Sequence, residues 1–155
     1  VTEHLRVVLD TNVIVSAFLS RNPTSPTQEI IRRWQADEFT LLVSDAIVDE
    51  LAEKLIDKGI GQERVIEFLM LLVDLAEWVP VPDEDVTRRV LADPDDDHLV
   101  ACALVGQADY LVTYDPHFDS LLGTHQGLQI TKALPFLWAV RGDVPPASNS
   151  QEVTI

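Results

Sequence analysis

The chain has a single cysteine, Cys102, so no internal disulfide can form and no cysteine-based zinc site is available. A reducing compartment suits such a chain. Long apolar runs are missing too. The most apolar stretch, Leu99–Val105, falls far short of the ~20 residues that span a bilayer. Val1-Thr2-Glu3-His4 carries none of the basic and apolar regions of a secretory leader. These absences lead us to expect a cytoplasmic protein with no membrane segment. Internal repeats and low-complexity blocks are also lacking. Positive charge is sparse: 11 Lys and Arg stand against 26 Asp and Glu, a formal net charge of −15. A field of that sign repels nucleic acid at long range. Either the acids serve solubility, or some form a cation site whose bound ion reverses the local sign. Their positions decide.

The 155 residues, 46% hydrophobic and 24% charged, suffice for one domain with one core. Leu5-Arg6-Val7-Val8-Leu9 is mostly apolar and β-branched up to Asp10-Thr11-Asn12, as expected of a buried strand. A short helix over 12–19 follows. Ser25-Pro26-Thr27-Gln28 predicts a helix start, with Ser at N-cap, Pro at N1 and Gln at N3 in a capping-box pattern; this helix fades near Glu38. Thr40–Val43 is a second strand. Ser44 caps a helix running to Lys58, stopped by Gly59 and Gly61. Another amphipathic helix covers about Gln62 to Ala76, and the prolines of Trp78–Pro82 confine that extended stretch to an edge. Asp93-Pro94 opens a helix that is apolar all round over Leu99–Val105, which marks it as buried. Tyr110–Thr113 and, more weakly, Leu128–Thr131 are strands; Ala133–Val140 is a last helix; from Gly142 the chain reads as a mobile tail. Strands alternating with helices predict an α/β fold with a mostly parallel sheet of about four to five strands. Such folds bind ligands beyond the carboxyl ends of their strands, where Asp10 and Asp115 fall.

Taken alone, Asp10-Thr11-Asn12 and Asp115-Pro116 are ordinary turn chemistry. The run Asp93-Pro94-Asp95-Asp96-Asp97 is not. A helix dipole favours one or two first-turn acids, each by ~0.3–1 kcal/mol. Four aspartates in five residues also repel one another. Asp93 and Asp97 lie four apart on one face, and Asp97 leads directly into the apolar stretch, so it stands near the buried end and needs a partner. Two carboxylates ~5 Å apart repel by about 3 kcal/mol at an effective dielectric near 20. Several such pairs rival a whole domain's stability of ~5–15 kcal/mol. No lysine or arginine lies between Arg89 and Lys132, which favours a divalent cation as the partner. Carboxylate-only ligation suits Mg²⁺ or Mn²⁺, and the scattered His4, His98, His117 and His125 offer no zinc spacing. Magnesium is often completed by substrate phosphate, which makes this a site for phosphate chemistry.

Four segments, in order, resemble the acidic motifs of the PIN-domain family, in the branch grouped as VapC-like toxin components of toxin–antitoxin systems. They are Val7-Val8-Leu9-Asp10-Thr11-Asn12-Val13, Ser44-Asp45-Ala46-Ile47-Val48-Asp49-Glu50-Leu51, Asp93-Pro94-Asp95-Asp96-Asp97-His98-Leu99-Val100-Ala101-Cys102-Ala103, and Ala108-Asp109-Tyr110-Leu111-Val112-Thr113-Tyr114-Asp115. Ile130-Thr131 with Pro135-Phe136-Leu137 matches the family's usual last strand and helix, so the likeness covers about Leu5 to Val140. The resemblance implies a three-layer α/β/α fold, with a nuclease domain over 1–141 and a disordered tail over 142–155. It implies metal-dependent hydrolysis of RNA to a 5′-phosphate and a 3′-hydroxyl, a homodimer, and a small antitoxin protein as partner. Carried onto this chain, the metal-binding and catalytic acids are Asp10, Glu50, Asp97 and Asp115. Glu50 rests on the resemblance alone. Asp96 is the alternative to Asp97, and Asp119 shares the fourth role with Asp115. Asn12 and Thr113 support the ligands or touch the ion's waters. A metal held by Asp10 and Asp97 would activate a water, and a second ion ~3.5–4 Å away would steady the leaving oxygen.

The scarcity of basic residues is a departure from what a polyanion-binding enzyme needs. Arg32-Arg33 with Lys54 and Lys58 could form a patch beside the site, although a solvated helix face is the commoner reading. Trp34 and Cys102 read as core. Two other functions compete. A PIN fold can bind RNA or protein without turnover. A receiver-like Mg²⁺-dependent phosphoacceptor domain would need an acid pair after the first strand and a lysine after a late one; here Asp10 stands alone and Lys132 follows a weak strand.

Overall fold

In the computed structural model, which describes residues 4–86, 94–125 and 127–143, the apolar run after Leu5 becomes β1 (Arg6–Leu9), followed by α1 (Thr11–Leu19) and α2 (Pro26–Gln35). β2 (Thr40–Val43), α3 (Asp45–Asp57), α4 (Gln62–Leu75) and β3 (Glu77–Trp78) come next. α5 (Pro94–Val105), β4 (Tyr110–Val112), β5 (Gly123–His125), β6 (Leu128–Thr131) and α6 (Ala133–Arg141) complete the order. Asp93, expected to open α5, lies outside the described residues. So does the expected tail, apart from Gly142, which closes α6 in the left-handed conformation, and Asp143.

One sheet holds all six strands in the order β3-β2-β1-β4-β6-β5. Every pairing is parallel except that of β5 with β6. The fold is therefore α/β with a mostly parallel sheet, as expected. It has two strands beyond the lower count expected, both at the edges. β3 is two residues long, and β5 is three residues turned back by Gly127 at φ 84°. Strands that short show no period in a sequence.

Helices cover both faces, which is why β1 reads as continuously apolar. Val7 and Leu9 pack with α1, α2, α3, α4 and α6, where Trp34, Phe39 and Phe136 are buried. Val8 points the other way, into a second core with Leu42, Leu99, Cys102, Ala103 and Leu111 around α5. α5 ends against the sheet at Gly106, where an added Cβ would lie 2.9 Å from both the Leu42 Cδ1 and the Cys102 carbonyl oxygen. Trp34 and Cys102 are core residues, as expected.

Local chemistry sets the helix ends. Ser25 and Ser44 cap α2 and α3, accepting from the backbone N–H of Gln28 and Ile47 at 3.4 Å each. The capping box at α2 is only half used. The Gln28 amide donates to the Ala17 and Ser20 carbonyls and ties α2 to the end of α1. α2 stops at Gln35, before the expected Glu38, because Asp37 takes φ 61°. Among the described residues, no helix is long and apolar enough to cross a membrane.

Candidate metal centre

The chain leaves β1 toward β2 on one side and later returns to place β4 on the other. The carboxyl ends of β1 and β4 therefore flank a switch point, where the two outgoing segments diverge and leave a crevice. Asp10 and Asp115 stand there.

Asp10 is the N-cap of α1 and is buried at 2% exposure. Its backbone N–H donates to the Val112 carbonyl at 2.9 Å, which pins it to the β1–β4 seam. Its Oδ2 accepts from the Thr113 hydroxyl at 2.7 Å, and its Oδ1 accepts from the Asn12 N–H at 3.3 Å. Burial pushes the Asp10 carboxyl above the usual carboxylate range. The bonds from Thr113 and Asn12 and the field of Lys54 pull the other way, and Asp115 adds to the rise. Thr113, itself buried, also accepts from the Asp115 N–H at 2.9 Å. One hydroxyl thus fixes both strand-end aspartates, and Asp115 goes on to open a 3-10 turn over Pro116–Leu121.

The third carboxylate comes from the first turns of α5. Asp96 and Asp97 are both buried, at 5% and 3% exposure. Asp10, Asp96 and Asp115 each bring one oxygen into a set whose members all lie within 4.8 Å of one another. Asp97, the acid expected there from sequence, does not belong to that set. Successive residues of an α-helix point about 100° apart, so only one of the pair can face the strand ends squarely.

Glu50 adjoins the set without joining it. The Thr11 hydroxyl lies 2.8 Å from Glu50 Oε2 and 3.4 Å from Asp10 Oδ1, and its proton goes to the nearer oxygen. The Lys54 Nζ lies 3.2 Å from Thr11 Oγ1, 3.4 Å from Asn12 Oδ1 and 3.7 Å from Glu50 Oε2. Asn12 is thus engaged through its backbone by Asp10 and through its side chain by Lys54. Asp119 stands apart on the exposed 3-10 turn, 3.6 Å from Lys132. Of the expected basic patch, only Lys54 reaches the acids. Arg33 is held by Glu29 and Glu38, and Arg32 donates to the Pro23 carbonyl. The sequence reading missed Thr11 altogether and undervalued Lys54. The signals were a hydroxyl directly after the strand-end acid and the i,i+4 spacing of Glu50 and Lys54.

A crevice of oxygen-only donors around one point, Asp10 and Asp96 buried and Asp115 half-buried, is chemically a hard-cation site. Cys102 does not compete as a ligand, because burial pushes its thiol up to about 12. In the comparisons with known proteins, no curated protein matches the chain. Its fold is similar to that of a chain in the crystal structure of VapBC2 from Rickettsia felis bound to a DNA fragment from their promoter. The TM-score is 0.55 and the identity 16%, over 81% of this chain and 97% of that one. The profile of the PIN domain family matches residues 6–117, from β1 to the start of the turn after Asp115. That span holds every element of the crevice, and this chain belongs to the PIN domain family.

Proposed function

We propose that the chain is a metal-dependent ribonuclease, hydrolysing RNA phosphodiester bonds, and that it is the toxin of a toxin–antitoxin pair. The observation that carries the enzymatic reading is the meeting of Asp10, Asp96 and Asp115 oxygens within 4.8 Å. The donor set fits Mg²⁺ or Mn²⁺: three carboxylates, with no nitrogen or sulfur donor in the set among the described residues. When bound, such an ion neutralises phosphate charge and lowers the pKa of the water that attacks phosphorus.

The protein groups have distinct tasks. Asp10, Asp96 and Asp115 hold the ion. Thr113 keeps two of those carboxylates in register, and Asn12 fixes the Asp10 oxygen through its backbone N–H. Asp97, buried beside Asp96, adds negative potential without ligating. Glu50, with Thr11 and Lys54, forms the wall on the α3 side. An open cleft of about 640 Å³ begins at Tyr114, next to Asp115, and runs to Lys132; we assign it to the strand leaving the scissile bond. RNA as substrate, a homodimer and a small antitoxin partner rest on the likeness to the family's toxin branch; the similarity in fold to a chain of VapBC2 supports the partner alone.

The test is cleavage of end-labelled single-stranded and hairpin RNA with Mg²⁺ or Mn²⁺, read for 5′-phosphate products. Asp10→Asn, Asp96→Asn and Asp115→Asn should each lose at least about 100-fold of the rate. Asp97→Asn should lose less. Equal cleavage by the wild type and the three variants would reject the enzymatic reading, as would the absence of any metal-dependent cleavage. A protein that binds RNA intact and gains no thermal stability from Mn²⁺ would be a binding module instead.

A further inference from the structure

Lys54 sits one helical turn beyond Glu50 on α3, and an exposed pair at that spacing is usually of little consequence. Its other contacts set this one apart. The ammonium also bonds the Thr11 hydroxyl oxygen at 3.2 Å and the Asn12 side-chain oxygen at 3.4 Å, both on α1 and more than 40 residues away in sequence. An ammonium has three protons, and oxygens from three residues surround this one. Thr11 gives its own proton to Glu50 Oε2 at 2.8 Å, which leaves a lone pair for Lys54. Glu50 Oε2 therefore already serves a hydroxyl and a cation.

Resting on the metal reading above, we propose that Lys54 is a tethered cation occupying the position a second metal ion would need, so that the chain binds one divalent ion. Two facts converge on this. The three-oxygen set of Asp10, Asp96 and Asp115 excludes Glu50, the acid that would anchor a second ion beside the first. The α3 side of the crevice already holds a positive charge that such an ion would have to displace, and like charges at that range repel strongly. A covalently attached charge has a further consequence. It offsets the acids at any metal concentration, in a chain whose net charge of −15 leaves few other cations to do so.

The experiment counts ions on the full chain by calorimetry and by the paramagnetic resonance signal of free Mn²⁺. Wild type should bind one Mn²⁺. Lys54→Met, which keeps the aliphatic stem, should bind two, and Lys54→Gln provides a second neutral variant. Lys54→Arg should bind one. Combining Lys54→Met with Glu50→Gln should return the count to one, which places the added ion at Glu50. Two ions on the wild type would overturn the inference while leaving the metal reading intact. One ion on both neutral variants would overturn it as well, as would two ions on the double variant. No Mn²⁺ on any of the proteins would overturn the metal reading and this inference together.

Discussion

Thr113 donates to Asp10 and accepts from the Asp115 backbone, so one hydroxyl oxygen sets the spacing of two carboxylates from different strands. Thr113→Val keeps the volume and removes both bonds. Groups supporting metal ligands are commonly worth 10–100-fold in affinity, so Mn²⁺ binding should weaken by at least about tenfold. Thr113→Ser should stay near wild type, and equal affinity for Val and Ser would show that the hydroxyl positions nothing. Asp10 itself sets function against stability. Burial raises its pKa, so in the metal-free fold its charged form is disfavoured. The sign follows from linkage: a carboxyl with a raised folded pKa costs nothing below its unfolded pKa, and its penalty grows as pH rises through the folded value. At pH 7 the penalty is present. Asp10→Asn should therefore melt higher than wild type in EDTA, where each kcal/mol corresponds to roughly 2–4 °C at this chain length. The same variant should lose the Mn²⁺-induced rise in melting temperature. A markedly lower melting point in EDTA would mean that Thr113 and Asn12 compensate the buried charge fully.

Between elements, the ion pairs that matter join α2 to α6. Glu29 on α2 accepts from Arg33 on its own helix and from Arg141 at the end of α6. Arg141, and then Arg33, draw its carboxyl down to about 2 from an ordinary value of 4.5. A lowered folded pKa contributes stability that is complete above pH 4.5 and is lost as pH falls toward 2. Glu29→Gln should lower the melting temperature at pH 7 by roughly 2–4 °C, equivalent to about 1 kcal/mol for a partly exposed pair. That gap should narrow on acidification below pH 4.5 and nearly close by about pH 2, and a gap undiminished at pH 2 would refute the assignment. Elements with strong local chemistry were legible in the sequence. Ser25-Pro26, Ser44 and the apolar runs of β1 and β2 sit where capping and patterning place them. β5 was not, because three residues carry no period. The acids divide along the same line. Asp10 and Asp115 follow strands, so their places could be read. An α5 that is apolar all round hides its own rotation, so the sequence favoured Asp97 over Asp96, whereas packed against β1 and β4 the helix brings an Asp96 oxygen close to those of Asp10 and Asp115. Lys54 depends on α3 crossing α1, a contact between residues more than 40 positions apart that no local pattern encodes.

Across the whole molecule, the puzzle is that the proposed nuclease carries a net charge of −15. Its described cations are largely committed to other tasks. Arg6 is paired with Glu77, Arg33 with Glu29 and Glu38, Arg141 with Glu29, Lys132 with Asp119, and Arg64 stacks over Phe18. Among the described residues no continuous track of free positive charge is left to follow a phosphate backbone, so in the proposed reading attraction is concentrated at the crevice, where a bound ion and Lys54 would reverse the local sign. That arrangement predicts an unusual salt response. Proteins that neutralise 6–10 phosphates lose about 10³–10⁵ in affinity between 50 and 200 mM salt, whereas about two contacts on a single strand would cost less than about tenfold. With Mn²⁺ held saturating, KM for a single-stranded RNA should rise less than tenfold over that range of NaCl. Screening of the acidic surface, which repels the substrate at long range, works in the same direction and flattens the response further. A thousandfold loss would mean that many lysines and arginines grip the strand, more than the pairings among the described residues leave free.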